Sequence, residues 1–202
     1  NQIGFIEVDN KGLNLLSDIY ANSWNLKNGT VNTGSFYAVS TNTGNDGISA
    51  AGDNINFSNS WFNGNLRQYI IPANVNNYVL PVGDAYRVKI CEMANLSRNP
   101  LTGVKYINVS FARLQGFTDG LKATENGLNY KAINRSGMWN IVPDAKPVSG
   151  NFDLKLSVSD FAGLADNRFA LLNRTGTSIN ISDWMVPAGS ILPADGSVGR
   201  TV

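Results

Sequence analysis

The chain has 202 residues and a formal net charge of +1, so it is long enough for one large domain or for a short segment followed by an ordinary one. Charged residues make up only 15% of it and form no basic run, which argues against a nucleic-acid partner. No stretch reaches the roughly 20 apolar residues of a membrane-spanning helix, so we expect no membrane span.

Neutral side chains supply most of the polarity. Asn fills about one position in seven and Gly adds 20 residues, so turn-forming residues occur along the whole length. Cys91 is the only cysteine, which excludes an intramolecular disulfide, and its place in an alternating pattern predicts a buried small hydrophobe. Low charge and near absence of thiols are typical of an extracellular or cell-surface protein, and we expect that location.

Residues 1–55 predict a turn-rich β segment. Ile3–Val8 and residues 13–20 are rich in apolar residues and flank the turn sequence DNKG, which favours a hairpin. Short apolar stretches then alternate with Asn-Gly, Thr-Gly and Asp-Gly pairs up to about residue 60, a pattern typical of a small solenoid-like ladder of strands.

Residues 56–202 predict an all-β domain of the antiparallel β-sandwich type. Apolar and polar residues alternate in segments about ten residues apart with turn signals between them, as in a sandwich. The predicted strands cover residues 60–71, 77–82, 86–91, 106–114, 128–133, 138–142, 152–158, 169–172 and 178–181. Two short helix candidates, residues 112–120 and 159–165, are interpreted as loops because they are short or interrupted by Gly.

Three phrases in a fixed order carry a resemblance to a known family. They are SWFNGNLRQY at residues 60–69, LPVGD followed by YRVKI at residues 80–90, and GMWNIVPD leading to SGNFDLKL at residues 137–156. Together they resemble a β-rich module of large secreted surface proteins of Bacteroidota, the adhesin-like cargo of type IX secretion. The likeness covers residues 54–174.

This resemblance implies surface display, attachment or scaffolding, and it supplies no catalytic residue. The sequence departs from such cargo at residues 196–202, which do not have the pattern of the usual C-terminal sorting domain. The same phrases also have a plain structural reading, because Pro81 can start a strand and Gly83-Asp84 can turn it.

The residues for catalysis are scarce. The chain has no His, which removes the commonest general base, the usual serine-hydrolase triad and most catalytic metal sites. It has three glutamates, so a glycosidase would rely on aspartates such as Asp153 and Asp160, whereas most aspartates lie beside Gly or Asn as turn residues do. We therefore expect no enzyme, with an aspartate-based hydrolase as the remaining alternative.

A calcium ion is the one metal that the sequence suggests. Asn45, Asp46 and Asp53 cluster in a Gly-rich loop, and Ca²⁺ takes oxygen ligands of this kind. The spacing does not match an EF-hand loop, and turn formation by Asn and Asp explains the same residues. We expect no other cofactor.

Two functions remain open. The first is a structural or adhesive module of the cell surface that binds neighbouring surface domains or its own copies as a fibre subunit, with Ile3, Phe5, Ile6 and Val8 as the inter-subunit strand. The alternative is a carbohydrate-binding module in which Trp184, Tyr130 or Tyr69 stacks on sugars and Asn side chains bind their hydroxyl groups. Trp61 and Trp139 are expected to pack in the core instead.

Overall fold

The computed structural model describes residues 2–52, 57–114, 118–125, 127–158, 161, 169–174, 176 and 180–187. Strands make up 50% and helices 2% of the structure, which confirms the predicted all-β class. The described strands are β1 Ile3–Val8, β2 Leu13–Asn14, β3 Ile19–Leu26, β4 Val31–Ser40, β5 Ile48–Ala50, β6 Phe62–Tyr69, β7 Tyr78–Gly83, β8 Val88–Ala94, β9 Tyr106–Ala112, β10 Asp119–Glu125, β11 Leu128–Ala132, β12 Met138–Pro143 and β13 Asp153–Leu156. Within this described part, no helix has the length and apolar character to cross a membrane.

The chain forms two compact units. The first consists of Asn1–Ala112 and Trp139–Asp153, and the second of Arg113–Met138 and Leu154–Val202. The domain boundary that composition suggests between residues 55 and 56 stays a prediction.

The first unit begins with stacked parallel strands. Ile3 of β1 lies beside Ala21 of β3, and Leu13 of β2 lies beside Val31 of β4, a spacing of 18 residues in both pairs. β4 pairs in parallel with β6, and β3 also pairs with β5. The first coil therefore spans about 18 residues, and the next is longer, since Trp24 lies beside Ile48 and Val31 beside Phe62. The predicted solenoid-like arrangement is confirmed.

The prediction of a hairpin around residues 9–12 is wrong. β1 pairs in parallel with β3, and β2 pairs in parallel with β4, so the strands on either side of this turn are not partners. Gly12, with a φ of 79°, does supply the left-handed turn, but the turn directs the chain round a coil corner. Strand periodicity identifies the strands without identifying their partners.

Apolar side chains from successive coils fill the interior of the stack. Trp24 is fully buried, contacts the Phe62 ring edge-to-face at a centroid distance of 5.4 Å and donates its indole N–H to the Val39 carbonyl at 3.1 Å. Leu26, Val31 and other core side chains are also fully buried. The buried aromatic pair joins one coil to the next.

Asparagines form a ladder on the side of the coils. Asn63 Nδ2 donates to Asn32 Oδ1 at 2.9 Å, and Asn32 Nδ2 donates to Asn14 Oδ1 at 2.9 Å. Because parallel coils place equivalent positions one above another, each amide can both donate and accept along the stack. Part of the high Asn content is therefore structural.

Antiparallel strands follow the parallel series. β9 pairs antiparallel with β6, β8 pairs antiparallel with β7, and β12 lies beside β9. The strands predicted within residues 60–114 are confirmed, with ends shifted by a few residues. The antiparallel sandwich as a complete arrangement stays a prediction.

The second unit contains the antiparallel pair β10 and β11. Ala123 lies beside Tyr130, and Glu125 beside Leu128. β10 lies outside the predicted strands, since Gly120 interrupts the alternation of side chains within it. The prediction of a strand at residues 169–172 is wrong, and the chain forms an isolated bridge just beyond that range, between Asn173 and Met185. Residues 159, 160, 162–165, 178 and 179 lie outside the described part, and Ile181 belongs to a 3-10 helix, Ile181–Asp183, where the sequence predicts the end of a strand.

Candidate functional site

Four adjacent strands of the first unit present a continuous outer face. In β6 and β9, alternate residues such as Leu66 and Val109 are buried, so the residues between them face outward. β4 and β12 flank these two strands. The tyrosine–asparagine face, as we call it, consists of Tyr37, Asn65, Arg67, Tyr69, Tyr106, Asn108, Ser110, Asn140 and Val142.

The register of the strands brings the larger side chains together. Arg67 of β6 lies opposite Asn108 of β9, and Tyr69 lies opposite Tyr106. On the other side of β6, Tyr37 of β4 lies beside Asn65. The face is thus assembled from a parallel pairing and an antiparallel pairing of the same strand.

Arg67 is held between two tyrosine rings. Its guanidinium carbon lies 4.4 Å from the centroid of the Tyr37 ring and 4.5 Å from that of Tyr106, distances at which cation–π attraction operates. Its Nε–H donates to Asn108 Oδ1 at 2.8 Å. The Tyr106 ring also contacts Tyr69, at a centroid distance of 5.3 Å. These contacts fix the position of a side chain that otherwise has many rotamers.

A shallow groove of about 160 Å³ runs along this face. Amide, hydroxyl and apolar groups line it, from Tyr37, Asn65, Asn108, Val109, Ser110, Asn140 and Val142. Asn140 Nδ2 lies 3.4 Å from Ser110 Oγ, a hydrogen bond at the limit of the usual distance. The amide and hydroxyl groups that line the groove can donate and accept hydrogen bonds, so they are suited to binding a polar ligand.

The three aromatic residues predicted to stack on sugars lie in different units. Tyr69 belongs to the tyrosine–asparagine face. Tyr130 lies in β11 of the second unit and donates its hydroxyl proton to Glu125 Oε2 at 3.2 Å. Trp184, also in the second unit, is half-buried with the Arg174 guanidinium 4.9 Å from its ring centroid. Of these three residues, Tyr69 alone belongs to the face that carries the groove, although its side chain does not line the groove itself.

The sequence reasoning missed Arg67, Tyr37 and Tyr106 as site residues. Tyr106 and Arg67 both lay in strands that were predicted, so the alternation that buries Ile107 and Leu66 could have placed them outward. Tyr37 gave no such signal, because only the parallel pairing of β4 with β6 brings it beside Arg67.

Both tryptophans expected in the core donate their indole N–H to a backbone carbonyl, but only Trp61 is buried. Trp61 is 7% exposed and donates its indole N–H to the Asp84 carbonyl at 2.9 Å, so its core position is confirmed. Trp139 is half-buried, contacts the Phe111 ring at a centroid distance of 5.0 Å and donates to the Lys89 carbonyl at 2.9 Å.

Cys91 is buried, as predicted, and is unsuited to nucleophilic chemistry. Burial away from water, together with the negative charge of Glu92, raises the pKa of its thiol to about 12. Since the thiolate is the nucleophile, the native Cys91 is inert near neutral pH.

The calcium prediction has two of its three residues in the described part. Asn45 and Asp46 are exposed, and Asp46 Oδ1 accepts a hydrogen bond of 3.1 Å from Asn42 Nδ2. Asp53 lies outside the described residues. Where the structure describes the chain, no three His, Cys, Asp or Glu residues are grouped as metal ligands are. Calcium binding stays a prediction.

The predicted inter-subunit strand is β1, at the edge of the sheet. Phe5 is 55% exposed and Ile3 is 42% exposed, whereas Ile6 is half-buried and Val8 is buried. Among the described strands, β1 pairs with β3 alone, so its other edge has no strand partner there. Glu7 on this strand is bound by Lys27 Nζ at 2.9 Å.

Comparison of the chain with protein-family models, with curated proteins and with solved structures gave no significant match. The likeness to Bacteroidota surface modules therefore stays a resemblance of sequence phrases.

Proposed function

We propose that this chain is a non-enzymatic adhesive module of an extracellular cell-surface protein and that it binds carbohydrate on the tyrosine–asparagine face. The observation that carries the proposal is the fixed arrangement of Arg67 between Tyr37 and Tyr106, beside a groove lined by Asn65, Asn108 and further polar groups. Sugars present many hydroxyl groups and flat apolar faces. Amide side chains bind the hydroxyl groups, and aromatic rings contact the apolar faces.

The coil scaffold supports this function because it holds the face rigid. Both strands at the centre of the face, β6 and β9, are paired on two sides. Site residues on paired strands need little ordering when a ligand binds, which lowers the entropic cost of association. Weak contacts with hydroxyl groups can then add up to useful affinity.

A glycan array followed by isothermal titration calorimetry tests the proposal. Replacing Tyr106 by Ala removes a ring that contacts both Arg67 and Tyr69, and we expect affinity for a glycan hit to fall about tenfold or more. Tyr86→Ala is the matched control, since Tyr86 is 74% exposed and lies outside the face. An array without any hit, or equal losses in the two variants, would contradict the proposal.

The exposed edge of β1 favours self-association as a second candidate function. An edge strand with free N–H and C=O groups can pair with a strand of another copy, and the exposed Phe5 and Ile3 side chains would add apolar contact. Replacing Phe5 by Lys should lower the association constant measured by sedimentation equilibrium, whereas Val148→Lys, at a residue 84% exposed in a loop, should not. A wild-type chain that stays monomeric at high concentration would exclude this function.

A further inference from the structure

Arg67 is the one charged member of the tyrosine–asparagine face, and its charge has no acidic partner there. The ion pairs found within the described residues involve Lys27 with Glu7 and Asp9, not Arg67. Asp144, which follows β12, is bound by backbone N–H groups instead, at 2.8 Å from Lys105 and 3.3 Å from Tyr106. A fixed guanidinium without a carboxylate partner is a suitable binding group for an anion.

The hydrogen-bonding capacity of Arg67 is only partly used. A guanidinium has five N–H donors, and Nε–H is the donor bound by Asn108. The two terminal nitrogens, Nη1 and Nη2, form the edge of the guanidinium opposite Nε, and that edge matches the two oxygens of a carboxylate. The tyrosine contacts involve the guanidinium carbon, 4.4 Å and 4.5 Å from the two ring centroids, and the Nη1–Nη2 edge is chemically able to bind a ligand.

We propose that Arg67 binds the carboxylate of an acidic sugar, a uronic or sialic acid residue, in a glycan that lies along the groove. This inference rests on the proposed carbohydrate-binding function and specifies the class of its ligand. The carboxylate accepts two parallel hydrogen bonds from Nη1 and Nη2, while Asn65, Asn140 and Ser110 bind hydroxyl groups of the same chain.

The sheet geometry favours a glycan over an acidic peptide as the occupant. Extended peptides commonly bind by adding a strand to a free sheet edge, with their main chain supplying the hydrogen bonds. β6 and β9, which carry Arg67 and Asn108, already have strand partners on both sides. Recognition on this face therefore depends on side chains, and its row of amides suits a ligand that carries many hydroxyl groups.

The test compares acidic glycans with their methyl esters, which keep the sugar and remove the charge. We expect the wild-type chain to bind sialylated or uronic acid oligosaccharides about tenfold more tightly than the esters, because a charge-assisted pair of hydrogen bonds is lost. Arg67→Gln should abolish that preference. Arg98→Gln removes the same charge from an exposed loop position and should keep it.

The other outcomes separate this inference from the proposed function. Equal binding of acid and ester, or binding of neutral glycans alone, would overturn the role of Arg67 while leaving carbohydrate binding intact. No glycan binding by the wild-type chain would overturn both. Poly-glutamate that binds as tightly as an acidic glycan, with the same dependence on Arg67, would overturn the glycan as the occupant.

Three comparisons distinguish loss of the Arg67 contact from a folding defect in Arg67→Gln. Arg67→Lys keeps the charge without the planar fork, so it should retain part of the preference for the acid over the ester. The acid–ester comparison on the wild-type chain needs no substitution at all. Melting temperatures of the three variants show whether each is folded under the binding conditions.

Discussion

The parallel coils and the antiparallel strands of the first unit are stabilised in different ways. The coils contain a ladder in which like residues stack on like, formed by Asn14, Asn32 and Asn63. In the antiparallel pair β7 and β8, unlike residues face each other, for example Leu80 and Cys91. The stability of each coil therefore depends on its packing against the next coil. The stability of an antiparallel pair depends on contacts between side chains that face each other across the two strands.

This difference also explains where the candidate site lies. β6 is the strand at which the parallel series meets an antiparallel partner, β9. Its outward residues are therefore flanked by side chains of both kinds of strand, Tyr37 on one side and Tyr106 on the other. A uniform solenoid would place repeated side chains on both sides of Arg67.

The largest expected effect comes from the core of the coils. Trp24→Ala removes a fully buried ring that contacts Phe62 in the next coil, and we expect the free energy of unfolding to fall by about 3–5 kcal/mol. Trp139→Ala, in the antiparallel part, removes a half-buried ring and should cost about half as much. Urea denaturation followed by circular dichroism measures both.

An equal loss of unfolding free energy in Trp139→Ala and Trp24→Ala would contradict the expectation that the coils depend more strongly on a buried ring than the antiparallel strands do. A further control is Trp24→Phe, which keeps an aromatic ring and loses the indole hydrogen bond to the Val39 carbonyl. It should be milder than Trp24→Ala, since most of the cost is expected from lost packing.

A coil corner should be the next most sensitive position. Gly29 has a φ of 87°, and a Cβ there would lie 2.2 Å from the backbone nitrogen of Gly12 in the neighbouring coil. We expect Gly29→Ala to cost about 3 kcal/mol, because left-handed strain of about 1–2 kcal/mol adds to a backbone clash. Thermal and urea unfolding of the variant measure the loss.

Gly34→Ala separates the cost of left-handed backbone strain from the cost of the backbone clash. Gly34 also has a positive φ, of 58°, but a Cβ there would have no atom within 4 Å. It should therefore show the strain alone, about 1 kcal/mol. Equal costs at Gly29 and Gly34 would mean that close stacking of the corners contributes nothing.

The strands could be predicted from the sequence much better than their pairing. Alternation placed β6, β9 and β12 close to their observed positions, since burial of every second side chain leaves a period of two. The same pattern is compatible with parallel and antiparallel neighbours, which is why it predicts a hairpin between Ile3–Val8 and residues 13–20, whereas β1 pairs in parallel with β3. β10 is not predicted because it contains Gly120, which has a φ of 90°, and glycine is uncommon within strands.

The candidate site was predictable only in part, for the same reason. Tyr69 was identified as an exposed aromatic residue, and the structure places it on the tyrosine–asparagine face. Its neighbours depend on strand register, which joins Arg67 to residues 30 positions before it and 39 positions after it in the sequence. Such long-range pairs leave no periodic signal in a single sequence.

The asparagine ladder should give a moderate effect. Asn32→Ala removes the hydrogen bonds to both Asn14 and Asn63, and we expect it to lower the free energy of unfolding by about 2 kcal/mol. Asn14→Ala removes one bond at an exposed end of the ladder and should cost about 1 kcal/mol or less. Urea titrations of both variants check the order, and equal values would argue against a cooperative ladder.

The smallest effect distinguishes the antiparallel part by its response to alkaline pH. Burial raises the pKa of the Cys91 thiol from 9.0 to about 12, so the folded state favours the neutral thiol. Its contribution to stability is complete below pH 9 and is lost as the pH rises through 9 towards 12. Relative to Cys91→Ala, the wild-type chain should lose about 1 kcal/mol of unfolding free energy between about pH 8 and about pH 10. Tyr78, whose pKa burial also raises, is present in both proteins and cancels in the difference, so parallel pH profiles would show that Cys91 ionises freely in the folded chain.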